Sequence, residues 1–114
     1  MSLTDQSMKK DDGKTPLQLL PFRALTEVAK VLEFGARKYA PHRWRDGMNW
    51  SRLIGGLFRH MFKWSEGEER DPETGLSHLA HATCNVLFLL EYVLEGKGTD
   101  DRFKRNQAKA KASS

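Results

Sequence analysis

The sequence predicts a small all-α bundle of three main helices, at about residues 21–39, 51–65 and 77–95. In each segment the apolar residues recur three or four positions apart, the spacing that gives a helix one apolar face. The segments between them contain proline and glycine, and no stretch shows the apolar and polar alternation of a strand. A chain of 114 residues is long enough for one such domain with its own core.

The first helix is predicted to begin at Pro21, because proline suits the first turn of a helix, and to run to about Tyr39. Its apolar face is a series at helical spacing: Ala24, Val28, Val31, Leu32 and Gly35. Glu27 lies at the margin of this face, where its carboxylate can turn towards the interior of the bundle. Glu27 is therefore a candidate site residue on this helix.

The second helix is predicted to begin at Ser51, a favourable N-cap residue, and to end near Ser65. Its buried face comprises Leu53, Ile54, Leu57, Met61 and Trp64. Gly55 and Gly56 lie inside it, and each costs about 1 kcal/mol relative to alanine. Two glycines in one turn predict that a neighbouring helix approaches closely there.

The third helix is predicted to span residues 77–95 and to end at Gly96, a frequent residue just after a helix. It is apolar almost all round, which is typical of a central, buried helix. His78, His81 and Asn85 nevertheless lie within about 60° of its circumference. Three polar side chains buried in one stripe cost free energy unless they find partners, so the stripe predicts a functional site.

Three regions are predicted along the chain: a flexible N-terminal arm at 1–15, a helical domain at 16–97 and a basic, disordered tail at 98–114. The net charge of +4 comes mainly from the tail, which favours a solvated terminus and leaves nucleic-acid binding as a less favoured alternative. Three helices of this length leave apolar surface uncovered, so the domain is predicted to form a homo-oligomer, a dimer or a tetramer.

The expected compartment is the cytoplasm. Cys84 is the only cysteine, so no intrachain disulfide can form, which suits a reducing environment. No apolar run is long enough to cross a bilayer, and the N-terminus lacks the apolar stretch of a signal peptide. No membrane partner is therefore expected.

The polar stripe has candidate partners on the other elements. His60 lies at the margin of the apolar face of the second helix, and Asp71 lies in the acidic loop before the third. Histidine and carboxylate side chains ligate divalent cations or exchange protons with water. The predicted metal ligands are Glu27, His60, Asp71, His78 and His81, and the predicted catalytic residues are Glu27, His60 and Asn85. The cofactor is a divalent metal, with Mg²⁺, Mn²⁺, Zn²⁺ and Co²⁺ all left open.

A basic stripe runs beside His60 on the second helix: Arg52, Arg59 and Lys63. These side chains either bind phosphate groups or form an ordinary charged surface. The sequence contains no Walker A loop, dinucleotide glycine fingerprint, H-E-x-x-H motif or adjacent His-Asp pair. The common nucleotide-binding and hydrolase motifs therefore do not explain the basic stripe.

Short sequence blocks occur in a fixed order between about residues 9 and 96. They are Asp12-Gly13-Lys14 with Pro16, Leu19-Leu20-Pro21, Glu27 to Leu32, Phe34 to Tyr39, Trp44, Trp50-Ser51-Arg52, Arg59-His60, Gly67-Glu68, Asp71, Ser77 and His78 to Ala82. In this order they resemble the dATP/dGTP diphosphohydrolase N-terminal domain family of phages and prophages. The resemblance implies hydrolysis of a purine deoxynucleoside triphosphate to the monophosphate and pyrophosphate. It also implies kinship with the all-α pyrophosphohydrolases of MazG type.

The resemblance includes a difference at the metal site. MazG-type enzymes bind magnesium through an E-E-x-x-E cluster on one helix and an E-x-x-D pair on the next. Around Glu27 the matching positions are Thr26 and Lys30, and His78 and His81 take the places of the second pair. The alternatives are a different metal, a different chemistry, or a relative that binds nucleotides without cleaving them.

The predicted function is metal-dependent hydrolysis of a purine (deoxy)nucleoside triphosphate in phage nucleotide metabolism, in the host cytoplasm. In this interpretation cations neutralise phosphate charge and aromatic rings stack on the base, although each ring alternatively packs within the fold. The predicted substrate-binding residues are Lys14, Lys38, Tyr39, Trp44, Trp50, Arg52, Arg59 and Lys63. The alternative is a non-catalytic phage protein that binds or sequesters a nucleotide or nucleotide signal. Nucleic-acid binding through the basic tail ranks third.

Overall fold

The computed structural model describes residues 13–105, which contain three α-helices. The helices are α1 at Phe22–Lys38, α2 at Trp50–Ser65 and α3 at His78–Glu95, with short 3₁₀ turns at Leu17–Leu19 and Arg43–Asp46. Over the described range the strand-like pairings are two isolated bridges, so the predicted all-α fold is confirmed. Each predicted helix agrees with the structure to within one residue at either end.

Helix α3 is the centre of the bundle, because both α1 and α2 pack against it. The buried apolar residues are Val28, Leu53, Ala80, Ala82, Cys84 and Tyr92. Tyr92 is 1% exposed, and its hydroxyl donates a hydrogen bond to the backbone carbonyl of Trp44. The central position predicted for the third helix is confirmed, and α3 therefore presents different faces to its two neighbours.

The two ends of α3 follow the sequence signals. The Oγ atom of Ser77 accepts hydrogen bonds from the backbone N–H groups of Leu79 and Ala80, which have no partner inside the helix. Gly96 ends the helix with a φ of 67°, a left-handed conformation that glycine adopts without steric cost. These local contacts explain why the boundaries of α3 were predictable.

The prediction that Ser51 caps the second helix is wrong. Helix α2 begins one residue earlier, at Trp50, and the side chain of Asn49 makes no capping hydrogen bond. The carboxylate of Asp101 accepts hydrogen bonds from the backbone N–H of Ser51, at 2.8 Å, and from its hydroxyl. A side chain from beyond α3 thus satisfies part of the N-terminus of α2, and no residue near the helix signals this.

Residues 97–101 lie against the start of α2. The carbonyl of Thr99 accepts from the backbone N–H of Trp50 at 3.0 Å, and its own N–H donates to the carbonyl of Met48 at 3.2 Å. The predicted boundary at residue 98 therefore falls inside a segment that contacts the helical domain. Residues 1–12 of the predicted arm and 106–114 of the predicted tail lie outside the described residues.

Part of the apolar surface of α3 is exposed in the single chain. Leu90 is 52% exposed, Val93 is 58% exposed and Leu94 is 72% exposed. An apolar face of this kind fits the predicted homo-oligomer, which stays a prediction.

Within residues 13–105, every helix is too short or too polar to cross a lipid bilayer.

Candidate functional site

A close contact between α2 and α3 brings the polar stripe of α3 against the second helix. A side-chain carbon added at Gly56 would lie only 2.9 Å from Nδ2 of Asn85, closer than such atoms normally pack. A side chain at Gly56 would therefore displace the amide of Asn85. This confirms the close helix approach predicted from the glycine pair.

Three histidines meet at this contact. Nδ1 of His60 on α2 lies 2.9 Å from Nδ1 of His78 on α3. The His60 ring also stacks on that of His81, with centroids 4.5 Å apart and planes 5° from parallel. The spacing of the stripe thus brings both α3 histidines to one partner on α2.

The loop between α2 and α3 contributes a carboxylate to which the sequence reasoning assigned no role. Oε2 of Glu68 lies 2.7 Å from Nε2 of His78 and accepts its hydrogen bond. The side chain of Glu68 is 42% exposed, whereas His78 is 3% exposed. The available sequence signal for Glu68 was its position in the Gly67-Glu68 block of the family resemblance.

A tight turn in the same loop orients Asp71. Its Oδ1 accepts from the backbone N–H of Glu73 at 2.9 Å, and its carbonyl accepts from the N–H of Gly75 at 2.7 Å. The other carboxylate oxygen, Oδ2, lies 3.8 Å from Nε2 of His81. The hydroxyl oxygen of Thr74 lies 2.8 Å from the same nitrogen. The turn therefore presents a carboxylate and a hydroxyl to one edge of the His81 ring.

His60, Asp71 and His81 are the donor group suited to a metal ion. Among residues 13–105, their ligand atoms lie within 4.8 Å of one another. Two ligands at about 2.1 Å from one ion are at most about 4.2 Å apart, so a small side-chain movement closes the group. The stacked rings also have to tilt, because an imidazole lone pair lies in the ring plane. Two nitrogens and one carboxylate oxygen fit Zn²⁺, Mn²⁺ or Co²⁺ better than Mg²⁺.

The surroundings favour the neutral form of two of these histidines. Burial lowers the pKa of His60, and His81 lowers it further, while the Asp71 carboxylate opposes the shift. Burial also lowers the pKa of His81, again against the effect of Asp71. A neutral imidazole keeps the lone pair that is needed to bind a cation or accept a proton.

Two of the predicted ligands lie outside this donor group. Glu27 lies on α1, and its carboxylate pairs with Nζ of Lys30 at 3.0 Å on the same helix. His78 lies beside His60, but both of its ring nitrogens have hydrogen-bond partners. The roles of Glu27 and His78 as metal ligands stay predictions to which this geometry adds no support.

Cationic side chains flank the histidines on two sides. The guanidinium of Arg59 lies over Gly55 and Gly56, and its charge contributes to the lowered pKa of His60. At the end of α1, Lys38 pairs with Glu73 of the Asp71 turn at 3.6 Å. The other predicted phosphate contacts are exposed side chains: Lys14, Arg52 and Lys63. The structure therefore brings Arg59 and Lys38 to the edge of the site.

The predicted aromatic contacts with substrate have packing partners in the fold. The ring of Trp44 stacks on Phe88 with centroids 4.1 Å apart. The indole N–H of Trp50 donates to the carbonyl of Lys97 at 3.1 Å. Tyr39, just after α1, is 64% exposed. Trp44 and Trp50 therefore contribute to packing, and their contact with a base stays a prediction.

Another face of α3 borders an apolar groove of about 260 Å³. Its lining includes Val28 and Leu32 of α1, Trp44 of the connecting loop, and Cys84 and Phe88 of α3. Burial raises the pKa of the Cys84 thiol to about 11, so this cysteine is not a thiolate near neutral pH. The histidine contact is therefore the better candidate for chemistry.

Comparison with known proteins gives a family and a relative. The family model described as dATP/dGTP diphosphohydrolase, N-terminal, matches residues 4–102. A dATP/dGTP diphosphohydrolase of Salmonella phage PMBT28 is 37% identical over 95 residues, which are 83% of this chain and 32% of the relative. The chain thus spans about a third of the length of this curated relative. No solved structure gives a significant match.

Proposed function

Because the chain belongs to the dATP/dGTP diphosphohydrolase N-terminal family, we propose that it carries out metal-dependent hydrolysis of a purine (deoxy)nucleoside triphosphate. The products are the monophosphate and pyrophosphate, and the setting is phage nucleotide metabolism in the host cytoplasm. The observation that carries the proposal is the convergence of His60, Asp71 and His81 beside Arg59. The relative of this name is more than twice as long, so activity of the chain by itself is part of the proposal.

The proposed metal ligands are His60, Asp71 and His81. When bound, a divalent ion supplies a polarised phosphate oxygen and a more acidic water. The nitrogen-rich donor set favours Zn²⁺, Mn²⁺ or Co²⁺ over Mg²⁺. His60 serves either as a ligand or as a proton acceptor, because both roles use the same lone pair. Glu27 remains a predicted ligand and catalytic residue without support from the contacts of α1.

The remaining site residues bind and orient the triphosphate. Arg59 and Lys63, one turn apart on α2, neutralise phosphate charge beside His60. The amide of Asn85, which lies against Gly56, orients a phosphate oxygen. The other proposed substrate contacts are Lys14, Lys38, Tyr39, Trp44, Trp50 and Arg52. Water attacks the α-phosphorus, the bond between this atom and the oxygen that bridges the α- and β-phosphates breaks, and pyrophosphate leaves.

A second candidate is a protein that binds the nucleotide without cleaving it. This candidate is favoured by the hydrogen bonds that the histidines already make, His60 with His78 and His81 with Thr74. It is also favoured by the single carboxylate, Asp71, in the metal-binding group. In this case the same pocket binds the triphosphate through hydrogen-bond donors and needs no metal.

Pyrophosphate release from dATP, dGTP, the pyrimidine deoxynucleotides, ATP and GTP, each with Mg²⁺, Mn²⁺, Zn²⁺ or Co²⁺, tests the proposal. We expect release from purine nucleotides with Zn²⁺, Mn²⁺ or Co²⁺. Nucleotide binding without turnover under any metal would contradict hydrolysis and support the second candidate. No binding of any nucleotide would contradict both.

The variant Asp71→Asn separates metal binding from folding. Asparagine keeps the oxygen that closes the turn but removes the charge, so the fold is expected to survive. We expect turnover to fall by at least about tenfold, as for a weakened metal site. The matched control is Glu73→Gln, an exposed acid in the same turn that is outside the donor group. Equal losses in the two variants would contradict the ligand role of Asp71.

A further inference from the structure

We propose that Glu68 and His78 are positioning residues that hold His60 with the lone pair of its Nε2 available to a ligand, an inference that rests on the site of the proposed function. His78 is a buried polar side chain, 3% exposed, and such a group needs hydrogen-bond partners. It has two, Nδ1 of His60 at 2.9 Å and Oε2 of Glu68 at 2.7 Å. Neither Glu68 nor His78 has a task in the chemistry described above.

The loop fixes the backbone on both sides of Glu68. The N–H of Glu68 donates to the carbonyl of Lys63 on α2 at 3.1 Å. The carbonyl of Glu69 accepts from the N–H of His78 at 3.0 Å. An isolated bridge closes the same loop one residue further on. The end of α2 and the start of α3 are thereby joined at the position that holds the Glu68 carboxylate against His78.

When both rings are neutral, the hydrogen-bond chain determines which nitrogen of each ring carries the proton. A carboxylate oxygen can only accept, so Nε2 of His78 donates to Glu68. A neutral imidazole has one N–H, so Nδ1 of His78 must accept from Nδ1 of His60. The remaining nitrogen of His60, Nε2, then carries the lone pair. For neutral rings, Glu68 thus determines the tautomer of His60 through His78.

This tautomer matters because only the nitrogen with a lone pair can bind a cation or accept a proton. A neutral imidazole without a fixed partner exchanges its proton between the two nitrogens. Without Glu68, either nitrogen of His78 can carry the proton, and the constraint on His60 is lost. Partners that orient a metal-binding histidine typically contribute 10–100-fold in affinity or activity.

Long-range ¹H–¹⁵N NMR of the metal-free protein tests the tautomer directly, because protonated and unprotonated ring nitrogens differ in chemical shift. At a pH at which both rings are neutral, we expect His60 to be protonated at Nδ1 in the unsubstituted protein. In Glu68→Ala we expect a mixture of His60 tautomers, one of which is protonated at Nε2. In Glu68→Gln, the amide oxygen can still accept from His78, so we expect a smaller change. Glu69→Ala is the matched control, because the neighbouring acid interacts with His78 through its backbone only.

Binding of Co²⁺, followed by visible absorption, provides a second measurement on the same variants. We expect Glu68→Ala to weaken binding about 10–100-fold, Glu68→Gln less, and Glu69→Ala not at all. Protonation of His60 at Nε2 in the unsubstituted protein would overturn the proposal. An unchanged His60 tautomer in Glu68→Ala would also overturn it. Because the NMR measurement needs neither metal nor substrate, a lack of turnover contradicts the proposed function without deciding this one.

Discussion

The two faces of α3 that meet other helices are packed in different ways. Towards α2 the contact is close and partly polar, with hydrogen-bonded histidines and an amide against the backbone of Gly56 on the helix that also contributes the buried Leu53. Towards α1 and its following loop the contact is apolar and leaves a groove of about 260 Å³ beside the stacked rings of Trp44 and Phe88. One helix thus supplies both the candidate site and a large part of the core.

Stability and function are therefore expected to depend on different residues of α3. Apolar burial and aromatic stacking contribute roughly in proportion to contact area, so the Trp44 and Phe88 contact is expected to contribute more to the free energy of unfolding than the histidine contacts do. Hydrogen bonds on the α2 side exchange for bonds to water on unfolding and contribute less net stability. Their geometry, however, decides what the histidines can bind. Substitutions on the two sides are therefore expected to change different measurements.

The largest stability effect is expected for Trp44→Ala. The substitution removes the ring that stacks on Phe88 and lines the groove. Loss of a large aromatic side chain from a packed site costs about 3 kcal/mol. Because Phe88 lies about 10 Å along α3 from His81, Co²⁺ affinity at the histidine site is expected to stay within about twofold. Chemical denaturation and Co²⁺ titration measure the two quantities.

A matched control for this change is Tyr39→Ala, because Tyr39 is an aromatic residue that is 64% exposed. We expect its free energy of unfolding to change by about 0.5 kcal/mol or less, as for surface substitutions in general. If Trp44→Ala weakened Co²⁺ binding as strongly as it destabilised the fold, the two faces would not be independent.

A smaller effect is expected when the glycine pair of α2 is substituted. Gly55→Ala places a carbon 3.3 Å from a flexible Arg59 nitrogen, so the gain in helix propensity of about 0.5–1 kcal/mol is retained. Gly56→Ala places it 2.9 Å from Nδ2 of Asn85, so Asn85 has to move. We therefore expect Gly56→Ala to be less stable than Gly55→Ala by about 1 kcal/mol in chemical denaturation. Equal stabilities would contradict the close contact.

Helical spacing made the bundle and the stripe predictable. The period of 3.6 residues determines which side chains share a face, so His78, His81 and Asn85 were correctly placed together. The glycine pair likewise indicated the helix that approaches them. These signals are local. Because each helix is a rigid element, the face on which a residue lies is the same before and after the helices pack together.

The contacts of the loops were not predictable in the same way. Glu68 reaches His78 and Asp101 reaches Ser51 across turns that no periodic pattern describes. A helical wheel also gives the direction of a side chain but not its neighbours along the axis. For this reason the wheel alone does not decide whether Glu27 reaches the site, and in the structure its carboxylate pairs with Lys30. Distances between elements depend on tertiary packing, which the sequence pattern does not contain.

The smallest effect is expected from pH, and it distinguishes the two faces in the metal-free protein. Burial lowers the pKa of His60 and His81 in the folded state below the ordinary value of 6.5. Between the folded value and 6.5 the unfolded chain binds more protons, so the free energy of unfolding rises with pH in this window. The stability is fully present above about pH 6.5 and is lost as the pH falls towards the folded values. The effect is small because Asp71 opposes both shifts.

Denaturation of the metal-free protein between pH 5 and 7 measures this dependence. His60→Gln removes one of the two titrating rings, so we expect a shallower dependence of the unfolding free energy on pH. Trp44→Ala is expected to lower stability by a similar amount at each pH, because it leaves the histidine environment intact. A steeper slope in His60→Gln, or a slope changed by Trp44→Ala, would contradict the separation of the faces. The overall level of the unfolding free energy thus reports the apolar contacts of α3, and its dependence on pH reports the histidine contacts.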